Sequence, residues 1–149
     1  MRAVIQRVLN ASVTVNGKII GSINNGIVLL LGIECEDNDS DFEYIYKKTV
    51  NLRIFDDENG IMNKSLLDVG GEILVVSQFT LYGDARKGNR PSYIRAAKFD
   101  EGVKYYEKFI KQCKDAGIHT EHGEYGADMK VSLINDGPVT ILLDSSKVI

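Results

Sequence analysis

A chain of 149 residues with 44% hydrophobic and 26% charged positions has the length of one domain and the balance of a soluble globular protein, which excludes global disorder. A formal charge of −3 excludes a generally basic nucleic-acid coat while leaving room for a local basic patch. No apolar run approaches membrane-spanning length, and the opening MRAVIQRVLNASVTV alternates polar and apolar residues where a signal peptide would be continuously apolar, so a cytoplasmic enzyme or binding protein is expected.

Ala3, Ile5 and Val8 read as a first strand, followed by SVTVNGKIIGSI, whose Asn16-Gly17 pair signals a type I′ hairpin. Ile27 to Leu31 is a strand-sized apolar run. From Asp39 or Ser40 as N-cap, Phe42, Ile45, Tyr46, Thr49, Val50 and Leu52 recur at helical spacing. DDENG at 56 to 60 is a turn, and EILVVSQFTLYG from Glu72 is a β run that ends in a glycine-rich loop. A second helix spans about Asp100 to Ala116, with Val103, Tyr106, Phe109, Ile110 and Cys113 on one face and Gly117 as its stop. IHTEHGEYG, MKVSLIN and VTILLD return to β. Hairpins, two main helices and no strand-helix-strand alternation indicate a single α+β domain with mainly antiparallel sheet.

Cys35 and Cys113 are far apart, form no CxxC, and read as buried free thiols. His119 and His122 lie three apart in a segment of strand character, where such positions point to opposite faces, so no metal site is expected. SQFTLYGD at 77 to 84 supports two readings. Ser77 and Thr80 could pack on a sheet with Phe79 and Leu81 toward the core, or the strand end could present Thr80, the Gln78 amide and free backbone N–H groups to a carbonyl substrate. The loop GDARKGNRPSYIR reverses the sign of the chain locally through Arg86, Lys87, Arg90 and Arg95, either as solvated charge or as phosphate contacts. In INDGPVTILLD, Asn135, Asp136 and Gly137 suffice for a turn. Pro138 adds a fixed φ, a missing N–H and access to a cis peptide.

SQFTLYGD and NDGPVT at 135 to 140, with the opening MRAVIQRV, resemble the D-aminoacyl-tRNA deacylase family, also called D-tyrosyl-tRNA deacylase, from Met1 to about Asp144. Residues 146 to 149 read as a tail. The resemblance implies an α+β homodimer with a barrel-like β core, two active sites at the subunit interface, and a cis peptide at Gly137 and Pro138 inserted into the partner's site. It implies a proofreading hydrolase that cleaves D-aminoacyl-tRNA and mischarged glycyl-tRNA(Ala), and rejects L-aminoacyl-tRNA because a rigid wall blocks one hand of the α-carbon. Ser77, Gln78, Phe79 and Thr80 would form the catalytic strand end. Arg86, Lys87, Arg90 and Arg95 would hold the acceptor end of tRNA, and Met129 would pack on its terminal adenine. No cofactor, membrane or DNA partner is implied. A threonine nucleophile needs a base, and SQFTLYGD supplies none, so the expected chemistry is an oxyanion held by the Phe79 and Thr80 amides with water activated by the ribose 2′-hydroxyl. A noncatalytic RNA-binding module and a hydrolase of small D-amino-acid esters are the alternatives.

Overall fold

A computed structural model describes all 149 residues. The first strand, β1, runs from Arg2 to Val15, longer than the two separate pieces expected, and turns at Asn16-Gly17 into β2 (Lys18–Ile23). Positive φ at both turn residues, 50° and 76°, is what a type I′ hairpin requires and explains the Asn-Gly pair. Next, β3 (Gly26–Gly32) pairs antiparallel with the first half of β1.

Helix α1 (Asp39–Asn51) begins one residue earlier than its sequence signal suggested, because Asn38 is the cap. The Asn38 side chain accepts the Ser40 and Asp41 amides while the Asp41 carboxylate accepts the Asn38 amide, a reciprocal capping box. Short strands β4 (Phe55–Asp56) and β5 (Met62–Lys64) flank the DDENG turn, and the single-turn helix α2 (Leu66–Val69) follows, an element the sequence reading did not include. The remaining elements are β6 (Glu72–Ser77), α3 (Phe99–Asp115), β7 (Thr120–His122) and β8 (Lys130–Asp144).

The sheet runs β2-β1-β3-β6-β7, with β8 along the other edge of β1. Three pairings are antiparallel, but β3-β6 and β6-β7 are parallel. The expectation of no strand-helix-strand alternation is therefore corrected: α1 and α2 lie in one crossover and α3 in the other. Where the ends of this curved sheet meet, Gly21 of β2 faces β7, and a Cβ there would come within 2.8 Å of the His122 carbonyl oxygen. A bare glycine lets the backbones approach and nearly closes a barrel.

The central strands bury both faces. Ile27, Leu29, Leu31, Ile73 and Val75 pack under α1 and α3 with Phe42, Ile45 and Phe109. The alternate residues Val28, Leu74 and Val76 line the barrel interior with Val13 and Ile23. Burial on both sides is why β3 and β6 read as unbroken apolar runs. In β1, Ala3 and Ile5 face the helices whereas Val8, Ala11 and Val13 face the interior, and the switch coincides with register shifts against β8 after Gln6 and Val8, as bulges produce. Cys113 is buried, which pushes its thiol up to about 12. Cys35 is exposed, contrary to expectation, because it follows β3 on the connection into α1 and lies beyond the strand that would have covered it.

Two further expectations change. MKVSLIN and VTILLD are not separate strands: both halves of β8 pair with β1, and the chain does not reverse at NDGPVT. The β run from Glu72 also ends sooner, at Ser77, and Phe79–Tyr82 is a turn of 3₁₀ helix.

Candidate active site

Ser77 closes β6, and the Gln78 amide extends the strand by donating to the Leu31 carbonyl at 2.8 Å. The chain then tightens into the 79–82 turn, with the Leu81 amide on Gln78 O and the Gly83 amide on Thr80 O. The first amides of a helical turn have no carbonyl behind them to accept their protons. Those of Phe79 and Thr80 accordingly donate to no backbone carbonyl, and both residues are exposed. Phe79 is 53% exposed, which overturns the reading that turned it into the core. The Gln78 side-chain amide donates to the Thr80 hydroxyl oxygen, so that hydroxyl has a fixed partner that is not a base.

Arg2 secures this turn from beneath. Its Nη1 donates to Leu81 O at 2.9 Å, its Nε to the Asp144 carboxylate at 2.8 Å, and its guanidinium lies 4.8 Å from the Tyr82 ring centroid. Burial, the largest influence on Asp144, pushes its carboxyl up, but hydrogen bonds from Ser146 and Arg2 outweigh it and hold the group below its ordinary range. At Gly32 a Cβ would come within 3.0 Å of both Gln78 O and Leu81 Cβ, so the end of β3 must be glycine for the turn to sit where it does.

Beside the strand end is a cavity of about 350 Å³. Ser77, Gln78 and Phe79 form one wall, and Gly126, Asp128 and Met129 another, with Phe99 and Tyr125 between them. Met129 thus joins the strand-end residues, whereas Thr80 stands outside the lining. No histidine lines this space. His122 lines a different cavity, and His119 lines neither. Asp128 is its one carboxylate, held by Lys130 at 3.0 Å. Sequence reasoning missed Phe99, Tyr125 and Asp128. The glycines on either side of Tyr125 were the available signal: a Cβ on Gly126 would come within 2.7 Å of the Phe99 ring, and one on Gly123 within 2.4 Å of the Met129 sulfur.

A larger cavity, about 1020 Å³, lies between α3 and the β1-β2 hairpin and shares Tyr125 with the first. Three lysines and three carboxylates line it, Lys111 being paired with Asp115 at 2.6 Å. Its charges balance, and none of Ser77, Gln78, Phe79 and Thr80 lines it.

Between the β1-β8 pairs Gln6-Thr140 and Val8-Asn135, β1 has one intervening residue, Arg7, and β8 has four, Asp136 to Val139. The surplus bulges outward and carries Gly137 and Pro138, both exposed and joined by a cis peptide. Asn135 clasps the base of the bulge, its Nδ2 donating to Arg7 O at 2.9 Å and Val139 O at 3.0 Å. Arg7, only 11% exposed, braces it through Asp136 at 3.2 Å and donates to Ile54 O at 2.8 Å. Neither Arg7 nor Asn135 was singled out from sequence as a brace. None of Asn135 to Val139 lines the cavity, so the two features are separate within one chain.

In the basic loop all four cations are exposed, but two are committed. Arg86 makes two hydrogen bonds to the Asp84 carboxylate, at 2.9 and 2.6 Å, and this partner holds Asp84 far below the usual carboxylate range. Arg95 pairs with Glu34 at 2.5 Å. Lys87 and Arg90 form no ion pair, and they carry the loop's uncompensated charge.

Compared with known proteins, residues 4–144 match the family described as D-Tyr-tRNA(Tyr) deacylase. The chain is 61% identical over 148 residues to a D-aminoacyl-tRNA deacylase of Thermosipho africanus, and 58% identical over 147 residues to one of Clostridium botulinum, covering 99% of both chains in each case. Among solved structures it is similar to a c-Myc DNA Unwinding Element Binding Protein, with a TM-score of 0.90, 43% identity, and coverage of 97% of this chain and 98% of that one. A probable eukaryotic D-amino acid tRNA deacylase shares the fold at a TM-score of 0.83 and 17% identity, over 96% and 98% of the two chains.

Proposed function

The chain belongs to the D-Tyr-tRNA(Tyr) deacylase family and is a hydrolase of the aminoacyl-tRNA ester bond, and from that premise we propose how it attacks the ester and how it refuses the L-form. The aminoacyl end enters the cavity beside Ser77, Gln78 and Phe79, with the ester carbonyl oxygen toward the amides of Phe79 and Thr80. Water adds to the carbonyl carbon, the two amides hold the oxyanion, and the ester C–O bond breaks to release amino acid and tRNA. The ribose 2′-hydroxyl of the substrate assists the water. The observation that carries this reading is the pair of unengaged amides leading the turn beside a cavity with no histidine. Thr80, tied to Gln78, orients the turn and does not attack.

Discrimination is assigned to Gly137 and Pro138 of a second copy. Their bulge projects from its own chain, braced by Arg7 and Asn135, and its residues line neither of the two cavities described above. Its backbone carbonyl oxygens would stand on one side of the substrate's α-carbon. Exchanging the hand of an amino acid exchanges side chain and hydrogen, so a fixed wall admits a D-residue or glycine and excludes an L-residue; glycyl-tRNA(Ala) is therefore a second substrate. The homodimer this requires is supported by β8, a 15-residue strand whose outer edge is unpaired, and by exposed Leu9, Ile134 and Leu142 on β1 and β8. Such an edge and such apolar exposure ordinarily have a partner. Lys87 and Arg90 supply phosphate contacts, and Met129 packs on the terminal adenine. A cytoplasmic location follows from a substrate that is consumed in translation.

The test is the decay of D-tyrosyl-tRNA and of a free D-tyrosine ester with catalytic amounts of protein. Multiple turnover of the tRNA ester, with slow turnover of the free ester, is expected. Binding of tRNA without turnover would favour the sequestering module, and equal rates on both esters would favour a small-ester hydrolase.

A further inference from the structure

The wall of the cavity does not end at Phe79. Tyr93, 40% exposed, meets it edge-to-face with ring centroids 5.1 Å apart and planes at 71°, and continues the aromatic surface beyond the residues that line the cavity. This ring is built in. Asp84 and Ser92 exchange both backbone hydrogen bonds, at 2.8 and 2.9 Å, and return the loop to the end of the 79–82 turn. Gly83 completes the fit: a Cβ there would come within 3.0 Å of the Tyr93 ring and of Thr80 O. Ile94, 85% exposed, stands next to it. The two uncompensated cations, Lys87 and Arg90, belong to the same loop, while the charges of Arg86 and Arg95 are answered by Asp84 and Glu34.

An exposed aromatic platform beside free cations is the combination that binds single-stranded nucleic acid, with bases on the rings and phosphates on the cations. We propose that Tyr93 is a stacking platform for the single-stranded 3′ end of the tRNA, receiving the bases that precede the terminal aminoacylated nucleotide. Two features select this occupant: the platform is continuous with the cavity through Phe79, and its free charges are positive. The inference rests on the aminoacyl end occupying the cavity beside Ser77 to Phe79. Tyr93 is thus a positioning residue. It reaches the substrate one or two nucleotides away from the bond that breaks.

The experiment compares kcat/KM of the wild type, Tyr93→Ala and Tyr93→Phe on D-tyrosyl-tRNA and on 3′-O-D-tyrosyl-adenosine, which ends at the terminal nucleoside; if the nucleoside is not cleaved, its inhibition constant is read instead. Tyr93→Ala should lose roughly tenfold on the tRNA, the scale of one stacked base, and be within about twofold of wild type on the nucleoside. Tyr93→Phe should retain full activity on both. Equal losses on the two substrates, or no loss on either, would overturn the proposal. So would a change in sedimentation of Tyr93→Ala, which would assign the surface to a second copy of the chain. Failure of the underlying reading registers separately, as wild-type protein that leaves D-tyrosyl-tRNA intact.

Discussion

Arg86 and Arg90 stand four residues apart in one loop, and only their neighbours distinguish them. Arg86 has Asp84 two residues behind it and shares its charge; Arg90 and Lys87 have no such partner. The difference sets an expectation for binding. Neutralising Lys87 and Arg90 together should flatten the salt dependence of tRNA affinity by about 0.7 to 0.9 in slope for each lost phosphate contact, while Arg86→Ala changes it less. An unchanged slope in the double variant would remove the loop from the RNA-binding surface. Thr80 is a second residue whose neighbours define its role. Because its oxygen accepts from Gln78 and no histidine lines the cavity, Thr80→Ala should slow single-turnover hydrolysis by much less than about a thousandfold, the scale of an essential catalytic group. A larger loss would restore Thr80 as the nucleophile.

At the scale of elements, α3 carries a glycine where helix propensity argues against one. Gly-to-Ala in a helix interior ordinarily stabilises by roughly 0.5 to 1 kcal/mol. At Gly102 a Cβ would lie 1.8 Å from the Tyr125 hydroxyl oxygen, so the ring has to move. Tyr125 precedes Gly126 to Met129, which line the cavity, and Gly102→Ala should therefore raise KM more than it lowers kcat. Stabilisation without a change in KM would show that this wall does not depend on Tyr125. The same scale separates what the sequence discloses from what it conceals. The Asn16-Gly17 turn and the apolar stripes of α1 and α3 are written in neighbouring residues, so they are legible. The parallel pairings of β6 with β3 and β7 join segments far apart in the chain, and no local period encodes them. NDGPVT carries genuine turn chemistry, yet both of its flanks find β1, and the turn becomes a bulge inside one strand. The site divides similarly. Ser77 to Thr80 and Gly137-Pro138 form contiguous motifs, whereas Phe99, at the start of α3, and Tyr125 and Asp128, between β7 and β8, come together only in the folded chain.

For the whole molecule, the turn at the site and the closing strand share one anchor. Arg2 links Leu81 O to Asp144 at the end of β8, so the pH response of the fold and the integrity of the turn are coupled. The Asp144 carboxyl is depressed in the folded state. Its contribution is therefore complete above the ordinary carboxylate range, near 4, and is lost as pH falls through the depressed value. The urea midpoint should drop on acidification below about pH 4, and Asp144→Asn should show a shallower drop. Identical acid profiles for the two proteins would dissociate Asp144 from acid stability.

On the proposed reading, a wall supplied by Gly137 and Pro138 of a second copy excludes the L-hand. At Gly137, with φ at +118°, a Cβ would come within 2.8 Å of the Val139 side chain and 3.1 Å of Arg7 Nη2, so Gly137→Ala must displace the bulge while leaving every residue that lines the cavity unchanged. The most direct measurement is the hydrolysis of D-tyrosyl-, L-tyrosyl- and glycyl-tRNA by the wild type and by Gly137→Ala side by side, with dimer content checked by sedimentation. The wild type should cleave the D-tyrosyl and glycyl esters and spare the L-tyrosyl ester, and the dimeric variant should lose part of that distinction. A dimeric variant that still spares L-tyrosyl-tRNA as fully as the wild type would show that Gly137 and Pro138 do not exclude the L-hand.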